Sequence, residues 1–169
     1  MQIHGKAWKF GDFVSTDLIA PGRYAHLRSN LPELAKHTLE TADPNFAPAC
    51  LKKDQTYIIA AGVNFGQGSS REHAARIIQS IGVPVVLARS FARIFYRNCF
   101  NIGLPALVID TSAIDSGDDL EVDLAAGAVT NRTKCTRLRF APIPTVMLKI
   151  LSAGGIVPYV QQHGDLVFD

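Results

Sequence analysis

Residues 57–81 have the sequence YIIAAGVNFGQGSSREHAARIIQSI, in which an apolar run changes into a helical pattern. The run at 57–63 is typical of a buried strand. After it, apolar residues recur at helical spacing, namely Ala74, Ile77, Ile78 and Ile81. The sequence therefore predicts a strand, a loop with two glycines and a helix over 70–81, with Ser69 and Ser70 at the helix N-terminus.

The loop between this strand and this helix has the composition of an anion-binding site. Gly66 and Gly68 lack a Cβ atom, so they let the backbone approach a ligand closely. Free N–H groups at a helix N-terminus attract anions, and the guanidinium of Arg71 suits a bidentate bond to a carboxylate. A purely structural alternative stays open, in which Ser69 or Ser70 only caps the helix. The two glycines and an arginine in the first helical turn, where the macrodipole disfavours a cation, favour anion binding.

The loop matches none of the common phosphate or nucleophile motifs. It has no Gly-Lys-Ser/Thr sequence, and Arg71 stands where a dinucleotide fingerprint would have its third glycine. It is not a Gly-x-Ser-x-Gly elbow either. A hydrolase with Ser69 as the nucleophile is the least favoured hypothesis, because the chain lacks a convincing order of histidine and aspartate partners for it.

The composition excludes several classes of protein. The 169 residues include 17 basic and 15 acidic side chains, with a net charge of +2, which is too balanced to predict nucleic-acid binding. No apolar stretch reaches membrane-spanning length and no signal-peptide pattern is present, so we expect a cytoplasmic protein without a membrane partner. The length favours a single domain over residues 1–169.

The cysteines and histidines do not predict a metal site in this chain. Cys50, Cys99 and Cys135 are widely separated, whereas a disulfide framework or an iron–sulfur cluster normally needs clustered cysteines. The histidines show no metal-ligand spacing. We therefore expect no metal ligands here.

The pattern along the chain predicts an α/β fold with a parallel βαβ core and additional antiparallel strands. Core strands are predicted at 3–10, 57–63, 83–88 and 104–110. Helices are predicted at 31–41, 70–81, from Ser90 to near Gly103, and at 144–153. Antiparallel strands are predicted around 120–124 and 135–140, and loops at 12–24 and 43–48. Ligands of such folds bind at the carboxyl ends of the parallel strands, where the glycine-containing loop lies.

Three motifs resemble the swivelling domain of the aconitase superfamily. They are GQGSSREHA at 66–74, GDFVSTDLI at 11–19 with PGRY at 21–24, and ARSFARIFYRN at 88–98 with NIGLP at 101–105. They occur in the family's order and spacing and span most of the chain up to about residue 110. The chain is most similar to free-standing small subunits of the isopropylmalate dehydratase and homoaconitase type. The resemblance implies the aconitase-type swivelling β/β/α domain.

The resemblance also implies roles for individual residues. Ser69 is implied to be the base that removes a carbon-bound proton, and Ser70 and Arg71 to bind a substrate carboxylate. Asp17 is implied to belong to the active-site shell, and Arg28 to the loop that determines substrate specificity. The loop glycines then shape this site.

The implied activity is that of a hydro-lyase that isomerises 2-isopropylmalate and 3-isopropylmalate in leucine biosynthesis. The resemblance also implies that a large subunit supplies a 4Fe-4S cluster. This chain is then expected to form a heterodimer or heterotetramer with the large subunit and to be inactive without it. Because Arg28 could bind a third carboxylate, the alternative of a small subunit of homoaconitase, or of another tricarboxylate or broad-specificity hydro-lyase, stays open. The alternative of another class is a stand-alone regulatory module that binds a carboxylate or a phosphate.

Other charged residues receive structural interpretations. His73 is predicted to be a buried hydrogen-bonding residue, and Asp118 an exposed turn residue. Three arginines at a spacing of four, Arg89, Arg93 and Arg97, are predicted to form one helix face exposed to solvent or to a partner chain.

Overall fold

The computed structural model describes residues 1–165 and has a seven-stranded sheet at its centre. The strands are β1 Gln2–Lys9, β2 Tyr57–Ala61, β3 Val86–Ala88, β4 Ala106–Val108, β5 Asp119–Asp123, β6 Ala128–Asn131 and β7 Thr136–Arg139. Their order across the sheet is β4-β3-β2-β1-β5-β6-β7. Strands β1 to β4 pair in parallel, whereas β5, β6 and β7 are added antiparallel. The predicted α/β fold with a parallel core and antiparallel additions is confirmed.

Helices pack around this sheet. Within residues 1–165 they are α1 Thr16–Ile19, α2 Leu31–Ala35, α3 Phe46–Leu51, α4 Glu72–Ser80, α5 Arg93–Asn101, α6 Thr145–Ala153 and α7 Ile156–His163, with a 3-10 helix at Gly22–Leu27. Helix α4 connects β2 to β3, and α5 connects β3 to β4, which are the predicted parallel crossovers. No helix of the described part of the chain is long and apolar enough to cross a membrane.

The predicted loops at 12–24 and 43–48 were wrong, because they contain α1 and the starts of the 3-10 helix and of α3. Helices α1 and α3 have only four and six residues, which is too short for a periodic apolar pattern. A cap stabilises α1 instead, since Ser15 Oγ accepts a hydrogen bond from the N–H of Leu18 at 3.1 Å. Helix α2 ends at Ala35, well short of the predicted boundary.

Both crossover helices begin later than predicted. Helix α4 begins at Glu72, and its N-cap residue is Arg71, so Ser69 and Ser70 lie in the loop before it. Helix α5 begins at Arg93. Ser90 does not cap it, because Ser90 Oγ accepts a hydrogen bond from the N–H of Asn64 at 2.7 Å.

The two inner strands of the parallel part of the sheet, β2 and β3, are buried along their apolar stretches. Ile58, Ile59, Ala60 and Ala61 of β2 are fully buried, as is all of β3. Strands of a parallel sheet covered by helices on both faces have such continuous apolar runs. This explains why the sequence of β2 showed no alternation.

Asp118 is buried, so its interpretation as an exposed turn residue was wrong. Its carboxylate accepts hydrogen bonds from the side chain of Asn131 at 2.6 Å and from the N–H of Asp115 at 2.9 Å, and Lys134 Nζ lies 3.4 Å away. Burial raises the pKa of this carboxyl, but these partners outweigh it and the net pKa is lowered. Asp118 therefore stabilises the β5–β6 hairpin.

Candidate active site

The segments that follow β1 and β2 run side by side beyond the ends of these strands. The N–H of Gly66 donates to the carbonyl of Val14 at 2.7 Å, and the N–H of Thr16 donates to Gln67 at 2.7 Å. Thr16 Oγ1 also donates to the carbonyl of Ser69 at 3.0 Å. We call residues 64–71 the glycine loop. Its position is determined by the segment after β1.

The segment that follows β3 holds the glycine loop from the other side. The N–H of Phe65 donates to Ser90 at 3.0 Å, and the N–H of Ala92 donates to Phe65 at 2.9 Å. The ring of Phe65 contacts the rings of Phe91 and Phe95 edge to face, with centroids 6.1 and 5.4 Å apart. Three strand ends thus meet at the carboxyl edge of the parallel sheet, where ligands bind in folds of this kind.

The two loop glycines permit close approaches. Gly66 has a φ of +81°, and a Cβ atom there would lie 2.2 Å from Cγ of Phe95. Gly68 has a φ of +106°, and its Cβ would lie 3.2 Å from Oγ1 of Thr16. Because both positive φ values and both contacts favour glycine, these residues let the loop lie directly against α1 and α5.

A cavity of about 420 Å³ opens between the glycine loop and α5. The loop side is lined by Gly66, Gly68, Ser69, Ser70 and Arg71, and Thr16 completes it. The first two turns of α5 form the opposite side. The structure thus brings the predicted serines, glycines and loop arginine into one concave site.

Ser69 and Ser70 are exposed and line this cavity. Within residues 1–165 neither hydroxyl forms a hydrogen bond, and neither backbone N–H has an acceptor. The Ser69 carbonyl is fixed instead, since it accepts from Thr16 Oγ1 at 3.0 Å and from the N–H of Arg71 at 2.8 Å. Unpaired hydroxyls and N–H groups beside a cavity suit an anionic ligand.

Arg71 is paired with Asp17, which lies 54 positions earlier in the chain. Nη1 of Arg71 donates to Oδ1 of Asp17 and to the carbonyl of Ala20, each at 3.0 Å. Asp17 Oδ1 also accepts the N–H of Gly22 at 3.0 Å. The carboxylate orients the guanidinium and balances its charge, while the remaining N–H groups of Arg71 are available to a ligand.

Arg28 and His73 lie outside the cavity lining. Arg28 follows the 3-10 helix and is exposed, and its guanidinium forms no hydrogen bond or ion pair within the described residues. His73 is half-buried and has no hydrogen-bond partner in that part of the chain, so its predicted buried hydrogen-bonding role was wrong. Its pKa is lowered by burial and then by the charges of Arg71 and Arg28.

Three polar residues of α5 line the cavity, namely Arg93, Arg97 and Asn98, and the sequence did not assign them to the site. The prediction of one arginine face was wrong for Arg89, which precedes the helix and does not line the cavity. The signal was present in the sequence, because α5 follows a parallel strand and its arginines repeat at helical spacing.

The described residues do not fit an iron–sulfur cluster. Cys50 and Cys99 are buried and Cys135 is exposed. Burial raises the pKa of the Cys50 thiol to about 12 and also raises that of Cys99, which keeps both protonated. Within residues 1–165 no group of three or more histidine, cysteine or acidic side chains is placed to hold a metal ion.

Comparison with known proteins shows the family of this chain. Residues 27–112 match the aconitase C-terminal domain. The chain belongs to this family. It is 60% identical to 3-isopropylmalate dehydratase small subunit 2 of Archaeoglobus fulgidus, over 98% of this chain and 99% of the relative. It is 56% identical to 3-isopropylmalate dehydratase small subunit 1 of Thermotoga maritima, over 96% of both chains.

The fold of a solved relative is also the same. The crystal structure of 3-isopropylmalate dehydratase (LeuD) from Methanocaldococcus jannaschii has a TM-score of 0.89 and 41% sequence identity with this chain. The match covers 97% of this chain and 96% of that one. The family resemblance drawn from the three motifs is therefore confirmed over nearly the whole length.

Proposed function

We propose that this chain is the small subunit of a hydro-lyase that interconverts 2-isopropylmalate and 3-isopropylmalate, a reaction of leucine biosynthesis. The observation that carries the proposal is the 60% identity, over 98% of this chain, with a small subunit of 3-isopropylmalate dehydratase. The site supports it, since unpaired hydroxyls and N–H groups line a cavity next to guanidinium groups. Such a cavity suits a small dicarboxylate.

In this function Ser69 holds the proton that moves to and from carbon. Its Oγ accepts the proton from the carbon next to a carboxylate during dehydration and returns it during rehydration. The neighbouring guanidinium groups favour the deprotonated oxygen electrostatically. The dipole of α4 contributes less than the sequence suggested, because the helix begins at Glu72, three residues after Ser69.

Ser70 and Arg71 bind and orient the substrate. Ser70 offers an O–H and an N–H without intramolecular acceptors among the described residues. Arg71 offers the N–H groups that Asp17 and Ala20 leave unused. Together they bind one carboxylate, while Asp17 keeps the guanidinium in place.

We further propose that a large subunit completes this site and carries the 4Fe-4S cluster. The proposal is supported by the naming of the relatives as small subunits and by the open cavity at the strand ends. It is also supported by the absence of a suitable ligand group in residues 1–165. The cytoplasmic location stays a prediction.

The test is co-expression with the large subunit of the same organism, followed by an anaerobic assay of isopropylmalate, homoaconitate and citrate. We expect isopropylmalate to be isomerised by the complex and not by either chain alone. Turnover by the isolated small subunit would contradict the two-subunit proposal. A higher kcat/KM for homoaconitate or citrate would contradict the substrate.

A further inference from the structure

The two sides of the cavity differ in how their positive charges are balanced. On the loop side, Arg71 already has the carboxylate of Asp17 at 3.0 Å. On the helix side, Arg93 and Arg97 are exposed, and neither guanidinium forms a hydrogen bond or ion pair with residues 1–165. The unbalanced positive charge of the cavity therefore lies on α5.

The hydrogen-bond donors of α5 that line the cavity are the side chains of Arg93, Arg97 and Asn98. Arg93 and Arg97 are four residues apart, so they lie one above the other on one face of the helix. Asn98 lines the same cavity, is half-buried, and its amide has no partner in the described part of the chain. Guanidinium groups are pure donors and an amide offers two more N–H bonds, which together suit a carboxylate.

The position of these donors relative to the glycine loop is determined by packing. Phe95 lies between Arg93 and Arg97 in sequence, is 2% exposed and contacts Gly66. Backbone hydrogen bonds from Phe65 to Ser90 and from Ala92 to Phe65 hold the start of the helix against the loop. The donors of α5 therefore stay on the opposite side of the cavity from Ser69 and Ser70.

We propose that α5 forms a second carboxylate subsite, in which Arg97 and Asn98, assisted by Arg93, bind the substrate carboxylate that Ser70 and Arg71 do not bind. The proposal deepens the proposed function and rests on it. A dicarboxylate bound at both ends presents the carbon between its carboxylates to Ser69. The cavity volume of about 420 Å³ accommodates such a molecule.

The test uses the assembled complex of small and large subunits and the variant Arg97→Gln. A hydrogen bond to a charged group contributes enough for KM for isopropylmalate to rise roughly ten- to hundredfold. The value of kcat should change less, because this carboxylate is bound in both the ground state and the transition state. Arg97→Lys should restore part of the loss, since it keeps the charge without the planar fork.

The matched control is Arg89→Gln, which removes an exposed arginine outside the cavity, and its KM should equal that of the parent. A KM for Arg97→Gln within twofold of this control would overturn the subsite. Failure of both Arg97 variants to assemble, measured by size-exclusion chromatography, would assign Arg97 to the partner contact and overturn it as well.

A binding measurement separates this proposal from the proposed function. Malonate, a minimal dicarboxylate, is titrated into the parent and Arg97→Gln complexes in a calorimeter. Binding at least tenfold weaker in the variant supports the subsite even if the parent does not isomerise isopropylmalate. Equal malonate affinity in the two complexes would refute it even if the parent is active.

Discussion

Replacing Gly66 by alanine should separate the glycine loop from α5. The new Cβ would lie 2.2 Å from Cγ and 2.5 Å from Cβ of Phe95, so rotation of the phenyl ring cannot relieve the overlap. Overpacking of this kind costs about 1–3 kcal/mol. The φ of +81° adds about 1–2 kcal/mol for a residue with a Cβ. We therefore expect Gly66→Ala to lower the free energy of unfolding by about 2–5 kcal/mol.

Gly82→Ala provides the matched control. Gly82 has a φ of +91°, but a Cβ there would meet no atom within 4 Å. It should therefore lose only the conformational part, about 1–2 kcal/mol. The difference between the two variants, about 1–3 kcal/mol, corresponds to roughly 2–12 °C in Tm for a chain of this size.

The assay combines thermal unfolding of each variant with kcat/KM of its complex with the large subunit. Displacement of α5 moves Arg93 and Arg97 relative to Ser69, so Gly66→Ala should also lower kcat/KM, whereas Gly82→Ala should not. Two results together would refute this reasoning. Gly66→Ala and Gly82→Ala would lose the same stability, and Gly66→Ala would keep the kcat/KM of the parent. The contact of Gly66 with Phe95 would then not shape the cavity.

Three further predictions concern single side chains. Ser69→Ala should lower kcat of the complex by roughly a hundred- to ten-thousandfold. The free energy of unfolding should change by less than about 0.5 kcal/mol, because the Ser69 hydroxyl has no hydrogen bond within residues 1–165. A kcat close to that of the parent would show that Ser69 is not the base. Arg28 lies outside the cavity lining of this chain, but its charge lowers the pKa of His73 beside the glycine loop, so we expect it to reach a distal substrate carboxylate in the complex. Arg28→Val should then shift the ratio of kcat/KM values from homoaconitate towards isopropylmalate. An unchanged ratio would show that Arg28 does not contact the substrate. Burial raises the pKa of Glu40, but hydrogen bonds from Arg23, His37 and Tyr24 outweigh it and lower the pKa from 4.5 to about 2. Above pH 4.5 the parent should therefore be more stable than Glu40→Gln by about 1 kcal/mol, and this difference should disappear as the pH falls towards 2. Urea unfolding of both proteins at pH 7 and pH 3 measures it. A difference that does not depend on pH would contradict the hydrogen bonds to the Glu40 carboxylate.

The parallel core and the glycine loop could be predicted from the sequence because their signals are local. The apolar run of β2, the loop glycines and the apolar spacing of α4 all lie within 25 consecutive residues, 57–81. The motifs around Asp17, Ser69 and Arg93 likewise contain enough local information to indicate the family. Short helices such as α1 and α3 were missed because they contain too few residues for a periodic pattern.

The charge balance and the packing of the cavity were decided by tertiary structure. Asp17 balances the charge of Arg71 across 54 positions, and Phe95 packs on Gly66 across 29 positions, so neither contact is visible in a local pattern. The same packing places Arg93 and Arg97, which the sequence predicted only as an exposed helix face, on one side of the cavity. Local residue types thus determine which chemistry is available, whereas contacts between distant segments determine which charges are balanced and which remain for a ligand.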